Sequence, residues 1–217
     1  MNIVNDEFGY LITGSASSKP RIVLAHGAGA PMDTPFMELI ANGLASAGFM
    51  VVRFEFPYMR ARRTTGKRRG SGAAKALVGF FTQIIDDLGD PENLVIGGKS
   101  MGGRVASMAA DSAGVAGLLC LGYPFHPAGK PDILRTEHLE NLKTKTLIIQ
   151  GSRDSLGSRD EIATYHLSKS ISTIFLEDGE HSFKPRKSSG FTFDGHMATA
   201  IGEIARFADG FDSKTRK

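Results

Sequence analysis

The feature that most constrains this chain is the run from Asn93 to Arg104, NLVIGGKSMGGR. Four apolar or amide residues, Asn93 to Ile96, read as a short buried strand, and the small residues from Gly102 onward read as a helix. Ser100 stands at the join, with Gly98 two residues before it and Gly102 two after. A serine on a tight strand-to-helix turn is held in a strained backbone conformation with its hydroxyl lifted above the sheet, and side chains at the flanking positions would strike the adjoining strand and helix. The helix that follows aims backbone N–H groups and a positive dipole end at any oxyanion forming beside that hydroxyl.

Gly98-Lys99-Ser100 also imitates the tail of a phosphate-binding loop, G-x-x-x-x-G-K-[ST]. That motif needs a glycine where this chain has Asn93, and loop where this chain has Leu94, Val95 and Ile96. The strand before the serine therefore argues for a nucleophile rather than a phosphate cradle.

Around this run, apolar segments alternate with amphipathic ones, the signature of a parallel sheet covered by helices. Strands are expected at Arg21–His26, Phe49–Phe54, Asn93–Gly97, Val115–Leu121, Thr146–Gln150 and Thr173–Leu176. Helices are expected at Phe36–Ala47, Ala73–Leu88, Gly102–Asp111 and Met197–Phe207. This makes six strands, each followed by a crossover, in one domain over residues 1–217 with its core at about 20–210. The longest expected loops are the basic stretch after Pro57 and the segment Pro124–Pro131, both after the C-terminal ends of strands, where open α/β sheets bind ligands.

The partners of Ser100 are sought downstream in the order acid, then histidine. Asp154 follows the strand TLIIQ, and His181 follows the strand TIFL in the loop EDGEHSF. Each alone could be a turn cap or a surface residue. Together, after successive strands and in the right order, they read as the acid and general base of a serine nucleophile. Asp160 is the fallback acid, inside the next helix, and His196 the weaker base, at the start of the last one. His126, His138 and His166 read as surface or loop residues. After the first strand, His26-Gly27-Ala28-Gly29-Ala30 supplies small residues whose amides can approach a carbonyl oxygen. The oxyanion hole is expected at the N–H groups of Met101 and Ala28, with Gly27 or Gly29 as alternatives, and His26 as a residue that orients this loop.

Charge is unevenly placed. The 217 residues carry a net +3, yet Arg60, Arg62, Arg63, Lys67, Arg68 and Arg69 fall in a segment with no acid between Glu55 and Asp86, and without those six the rest stands at −3. Arg forks bind carboxylate or phosphate bidentately, so Arg62, Arg63, Arg68 and Arg69 are the expected anion contacts beside Ser100. The competing expectation is a solvated arm, or one paired with acids of this chain. Aromatic residues are not interleaved with these charges beyond Tyr58, which disfavours nucleic acid as a partner. With one cysteine, no basic-then-apolar leader and no apolar run of about 18 residues, a cytoplasmic protein without a membrane partner is expected. The expected partner is a small-molecule substrate. No cofactor or metal is expected, and the sequence assigns no oligomeric state.

The runs HGAGAPMDTPFM, FPYMRARRTTGKRR, GGKSMGGR, QGSRDSLGS and DGEHSF together resemble one group within the α/β-hydrolase superfamily. These are small hydrolase-like proteins related to dienelactone hydrolase, including bacterial hydrolases and the animal testis-expressed and NSL-complex hydrolase-like proteins. The resemblance runs from about Ile22 to Phe207. It implies an α/β-hydrolase fold with a mainly parallel sheet of about six strands and a minimal lid or none. It also implies Ser100, Asp154 and His181 as a serine-type triad, where dienelactone hydrolase itself uses cysteine. The implied activity is hydrolysis of a small ester, thioester or lactone, with an anionic group on it as the basic arm suggests. Some members of the group serve as complex subunits, so a non-catalytic binding or scaffold module is the alternative.

Overall fold

The computed structural model describes residues 2–3, 8–17, 19–67 and 70–212. Eight strands form one sheet in the order β1-β2-β4-β3-β5-β6-β7-β8. These are β1 (Asn2–Ile3), β2 (Leu11–Thr13), β3 (Arg21–Ala25), β4 (Val51–Phe54), β5 (Leu94–Lys99), β6 (Gly117–Leu121), β7 (Thr146–Gly151) and β8 (Ile171–Leu176). The last six are the expected strands, all parallel to one another. The first two add an antiparallel edge, β1 to β2 and β2 to β4. At two and three residues they are too short to show a period in the sequence.

Strands buried on both faces sort their side chains by parity. Ile22, Leu24, Val95, Leu119, Leu121, Leu147 and Ile149 point to one layer, where α1 (Pro35–Ser46) and α6 (Phe193–Asp209) bury Met37, Ile40, Leu44, Met197, Ala200 and Ile204. Val23, Ala25, Ile96, Leu118, Cys120 and Ile148 point to the other, against α3 (Ala74–Leu88) and α4 (Met101–Ala113). Arg53 breaks the apolar pattern of β4. It is fully buried, and its Nη1 donates to Glu38 of α1 at 2.9 Å and to the Met32 carbonyl at 3.0 Å.

Two short helices complete the chain, α2 (Pro57–Thr65) and α5 (Arg159–Ile162). The basic stretch expected as a loop is thus largely the helix α2. Pro57 opens it, Gly66 closes it in a left-handed conformation at φ 69°, and only Met59 of its residues is buried. That one-sided burial leaves too few apolar positions for a helical stripe to be read in the sequence. Between β6 and β7 the described chain runs through turns and one 3-10 turn at Glu137–Leu139, without an inserted helical lid. No helix of the described residues is long and apolar enough to cross a membrane.

Candidate active site

The site is built where β5 turns into α4. Ser100 caps α4 at φ 51°, ψ −114°, a region that side-chain-bearing residues rarely occupy. Its own N–H donates to the Leu121 carbonyl at 2.9 Å. The flanking glycines answer to a single neighbour: a Cβ on Gly98 would lie 2.3 Å from the Ala25 carbonyl oxygen, and one on Gly102 would lie 2.6 Å from the same atom. Only hydrogen at both positions lets β3, β5 and α4 close around the turn.

The structure brings Ser100, His181 and Asp154 into one hydrogen-bonded chain. Ser100 Oγ lies 3.0 Å from His181 Nε2, and His181 Nδ1 lies 2.8 Å from Asp154 Oδ2. Asp154 has no solvent exposure, and both its oxygens are used. Oδ1 accepts from the Leu156 amide at 2.9 Å, and Oδ2 also accepts from Gln150 Nε2 at 2.9 Å. Gln150, the last apolar-strand residue but one in β7, is itself buried. It accepts from the Tyr123 amide and donates to the Tyr123 and Gly157 carbonyls. It ties the acid to the loops after β6 and β7. An amide ending an otherwise apolar strand was the available sign of this role.

The loop that carries His181 is held from several sides. A Cβ on Gly151 would lie 2.4 Å from the Gly179 and Glu180 carbonyl oxygens, so the end of β7 packs directly on this loop. Arg153 N–H donates to the Gly179 carbonyl, and Glu180 Oε1 accepts from the Ser182 and Lys184 amides. Arg186 binds Asp178 through Nε at 2.7 Å, and Arg153 joins the same carboxylate at 2.8 Å. The Arg186 hydrogen bond leads in holding Asp178 down to about 2. His196, the weaker expected base, sits in α6 and donates from Nδ1 to the Phe183 carbonyl at 2.7 Å, away from Ser100. Asp160 is exposed on α5. Lys99 donates from Nζ to the His181 carbonyl at 2.8 Å, and burial pushes its ammonium down to about 8 against the pull of Asp154 and Glu180.

The loop after β3 is fastened by the residues following β4. His26 is buried, accepts at Nε2 from the Phe56 amide at 3.1 Å, and donates from Nδ1 to the Gly27 carbonyl at 2.7 Å. Both nitrogens are thus used on backbone, and burial lowers its pKa, keeping it neutral. Tyr58 donates to the Ala28 carbonyl at 2.9 Å, and Arg62 donates to the Gly29 carbonyl at 3.0 Å. Ala28 and Met101 both border the cavity that opens onto Ser100.

The basic arm divides into separate roles. Arg63 places Nε 2.7 Å from Glu55 and Nη2 2.7 Å from Asp33, and Glu55 is buried. Its charge is therefore spent inside the chain, which was the competing expectation for the arm. Neither Arg62 nor Arg63 borders the Ser100 cavity. Arg68 and Arg69 lie outside the described residues. The basic residues that do border the cavity are Arg104, Arg135 and His126. His126, expected at the surface, is buried, with Nε2 3.3 Å from Glu161. Arg104 could have been suspected from sequence, because it lies one helical turn after Ser100 on the same face. His138 bonds Ser107 at 2.8 Å, and His166 is exposed. Among the described residues no group of three His, Cys, Asp or Glu side chains is placed to hold a metal ion.

A parallel sheet in this strand order, with a serine at a strained strand–helix turn and an acid and histidine delivered from the next strand ends, defines an α/β-hydrolase. The chain belongs to the alpha/beta hydrolase domain family, whose profile matches residues 18–209. Its fold is similar to that of an alpha-beta serine hydrolase homologue from Coxiella burnetii, at 17% identity over 91% of this chain and 90% of that one, TM-score 0.66. It is also similar to a monoacylglycerol lipase from Paleococcus ferrophilus, at 15% identity over 93% and 99% of the two chains, TM-score 0.68. A third relative in fold is dienelactone hydrolase from Anabaena variabilis, at 19% identity over 97% and 93%, TM-score 0.64. At these identities the likeness is one of fold.

Proposed function

We propose that this protein is a serine hydrolase acting on a small ester, thioester or lactone through Ser100, His181 and Asp154. The observation that carries the reading is the unbroken hydrogen-bonded chain from Ser100 Oγ through both nitrogens of His181 to a fully buried Asp154. A buried carboxylate bonded to Nδ1–H holds the imidazole in the tautomer whose Nε2 can accept a proton. Ser100 Oγ attacks the carbonyl carbon as its proton passes to His181 Nε2. The tetrahedral oxyanion is met by the amides of Met101 and Ala28. When the intermediate collapses, the leaving alcohol or thiol takes the proton from His181 and the acyl group stays on Ser100. Water then attacks the acyl-enzyme with His181 again as base, releasing the acid and restoring the serine. The names of the fold relatives, a lipase and a lactone hydrolase among them, agree with this class of bond.

A fluorophosphonate probe tests the reading. Wild type is expected to be labelled and to hydrolyse 4-nitrophenyl acetate or butyrate, while Ser100→Ala is unlabelled and slower by at least about 10⁴-fold in kcat. Well-folded wild type that neither labels nor turns over any short ester would leave the binding-module reading in its place.

A further inference from the structure

The cavity above Ser100 has a volume of about 430 Å³ and opens between α4, the start of α3 and the loop after β6, a size at the small end of ligand sites. Two arginines border it, Arg104 from the first turn of α4 and Arg135 from the loop before β7, and among the described residues no aspartate or glutamate does. Neither arginine side chain makes a hydrogen bond or ion pair with any described residue, in contrast to Arg53 and Arg63, which are paired. Arg104 Nε is buried without a partner. Burial, and then the like charge of Arg104, push the Arg135 guanidinium below its usual range. Two partly exposed arginines bordering one small cavity with no acid partner among the described residues favour an anion between them.

Resting on the hydrolase reading above, we infer that Arg104 and Arg135 form an anion subsite of the Ser100 cavity, and that the substrate is a short ester or thioester bearing a carboxylate on the part bound there. The planar forks suit a carboxylate, and a cavity of this size keeps that group within a few bonds of the scissile carbonyl. Met101 and Ala28 line the same cavity, and Leu77 and Val105 give it an apolar wall. His126 also borders the cavity, with Nδ1 on the Pro127 carbonyl at 2.9 Å and Nε2 buried 3.3 Å from Glu161 without a hydrogen bond; the planar forks of the two arginines are what suit a carboxylate.

The test pairs mono-4-nitrophenyl glutarate with its uncharged methyl ester. Wild type is expected to favour the hemiester in kcat/KM by at least about tenfold. Arg104→Gln and Arg135→Gln should each lower kcat/KM for the hemiester by roughly 10- to 100-fold, the range of a hydrogen bond to a charged group. The same variants should leave the methyl ester within about threefold. Arg104→Lys, which keeps the charge and loses the fork, should fall between. Both Gln variants should melt close to the wild-type temperature, because neither side chain has a described protein partner to lose; a merely structural arginine would lower it. Equal losses on both esters, or no preference in wild type, would overturn the subsite. The two readings separate in Ser100→Ala titrated with glutarate by calorimetry. Binding that Arg104→Gln and Arg135→Gln abolish, in a wild type that no fluorophosphonate labels, upholds the subsite and sinks the hydrolase. Turnover of both esters without charge preference upholds the hydrolase and sinks the subsite. A phosphate-ended ester preferred over the glutarate hemiester would overturn the carboxylate assignment.

Discussion

Ser100 is held at φ 51°, ψ −114°, where the backbone strain of a residue with a Cβ is on the order of 1–3 kcal/mol. Glycine occupies this region freely. Ser100→Gly should therefore unfold at higher urea than Ser100→Ala, by about 1 kcal/mol after the greater entropy of glycine in the unfolded chain is set against the relief. Equal midpoints would mean that the turn stores no strain. Its neighbour Lys99 gives a pH signature. Folding lowers this ammonium from 10.5 to about 8 through burial, so the unfolded chain binds the proton more tightly. Stability should then rise as pH goes from about 8 to about 10.5 and be flat in this respect below 8. Denaturation midpoints of wild type and Lys99→Met should be taken at pH 7.5 and pH 10, and wild type should gain on the variant as the pH rises. A constant difference would remove Lys99 as the source.

At the scale of elements, α2 works as a brace for the loop after β3. Tyr58 and Arg62 donate to the Ala28 and Gly29 carbonyls, while Arg63 ties Asp33, just past the same loop, to the buried Glu55. Glu55 also accepts from the Met32 amide at 3.2 Å. Removing Arg63 leaves Glu55 buried with that amide as its remaining partner in the loop. Since Arg63 itself is 43% exposed, water can take part of its place, and Arg63→Ala is expected to cost about 1–3 kcal/mol in urea unfolding. Arg62→Ala, whose bond to Gly29 is exposed, should cost under about 1 kcal/mol. A reversal of that order would contradict the division of the arm into a paired and a bracing arginine.

Across the whole molecule, one sheet supplies a wall to both apolar layers. The alternate residues of β3, β5, β6 and β7 enter opposite cores, so neither layer can melt without exposing the strands of the other. A single cooperative transition is therefore expected, with calorimetric and van't Hoff enthalpies equal and near-UV and far-UV signals superimposed. An early transition confined to one of the two probes would indicate separable layers. The six parallel strands and four of the helices were legible in the sequence, because the strands are continuous apolar runs and the helices carry apolar stripes. The edge strands β1 and β2 were too short for that, and α2 buries only Met59. The turn around Ser100 and the chain order of Asp154 and His181 are likewise local patterns, set by glycine spacing and strand ends. Charge pairing is not local. Nothing in FPYMRARRTTGKRR says that Arg63 meets Glu55 and Asp33, and nothing in GGKSMGGR says that Arg104 shares a cavity with Arg135 and no acid. The sequence by itself determined where the proposed nucleophile stands and in what kind of turn. Only the tertiary structure decided which cations face it, because a charge is neutralised by whatever the fold brings within a few ångströms of it.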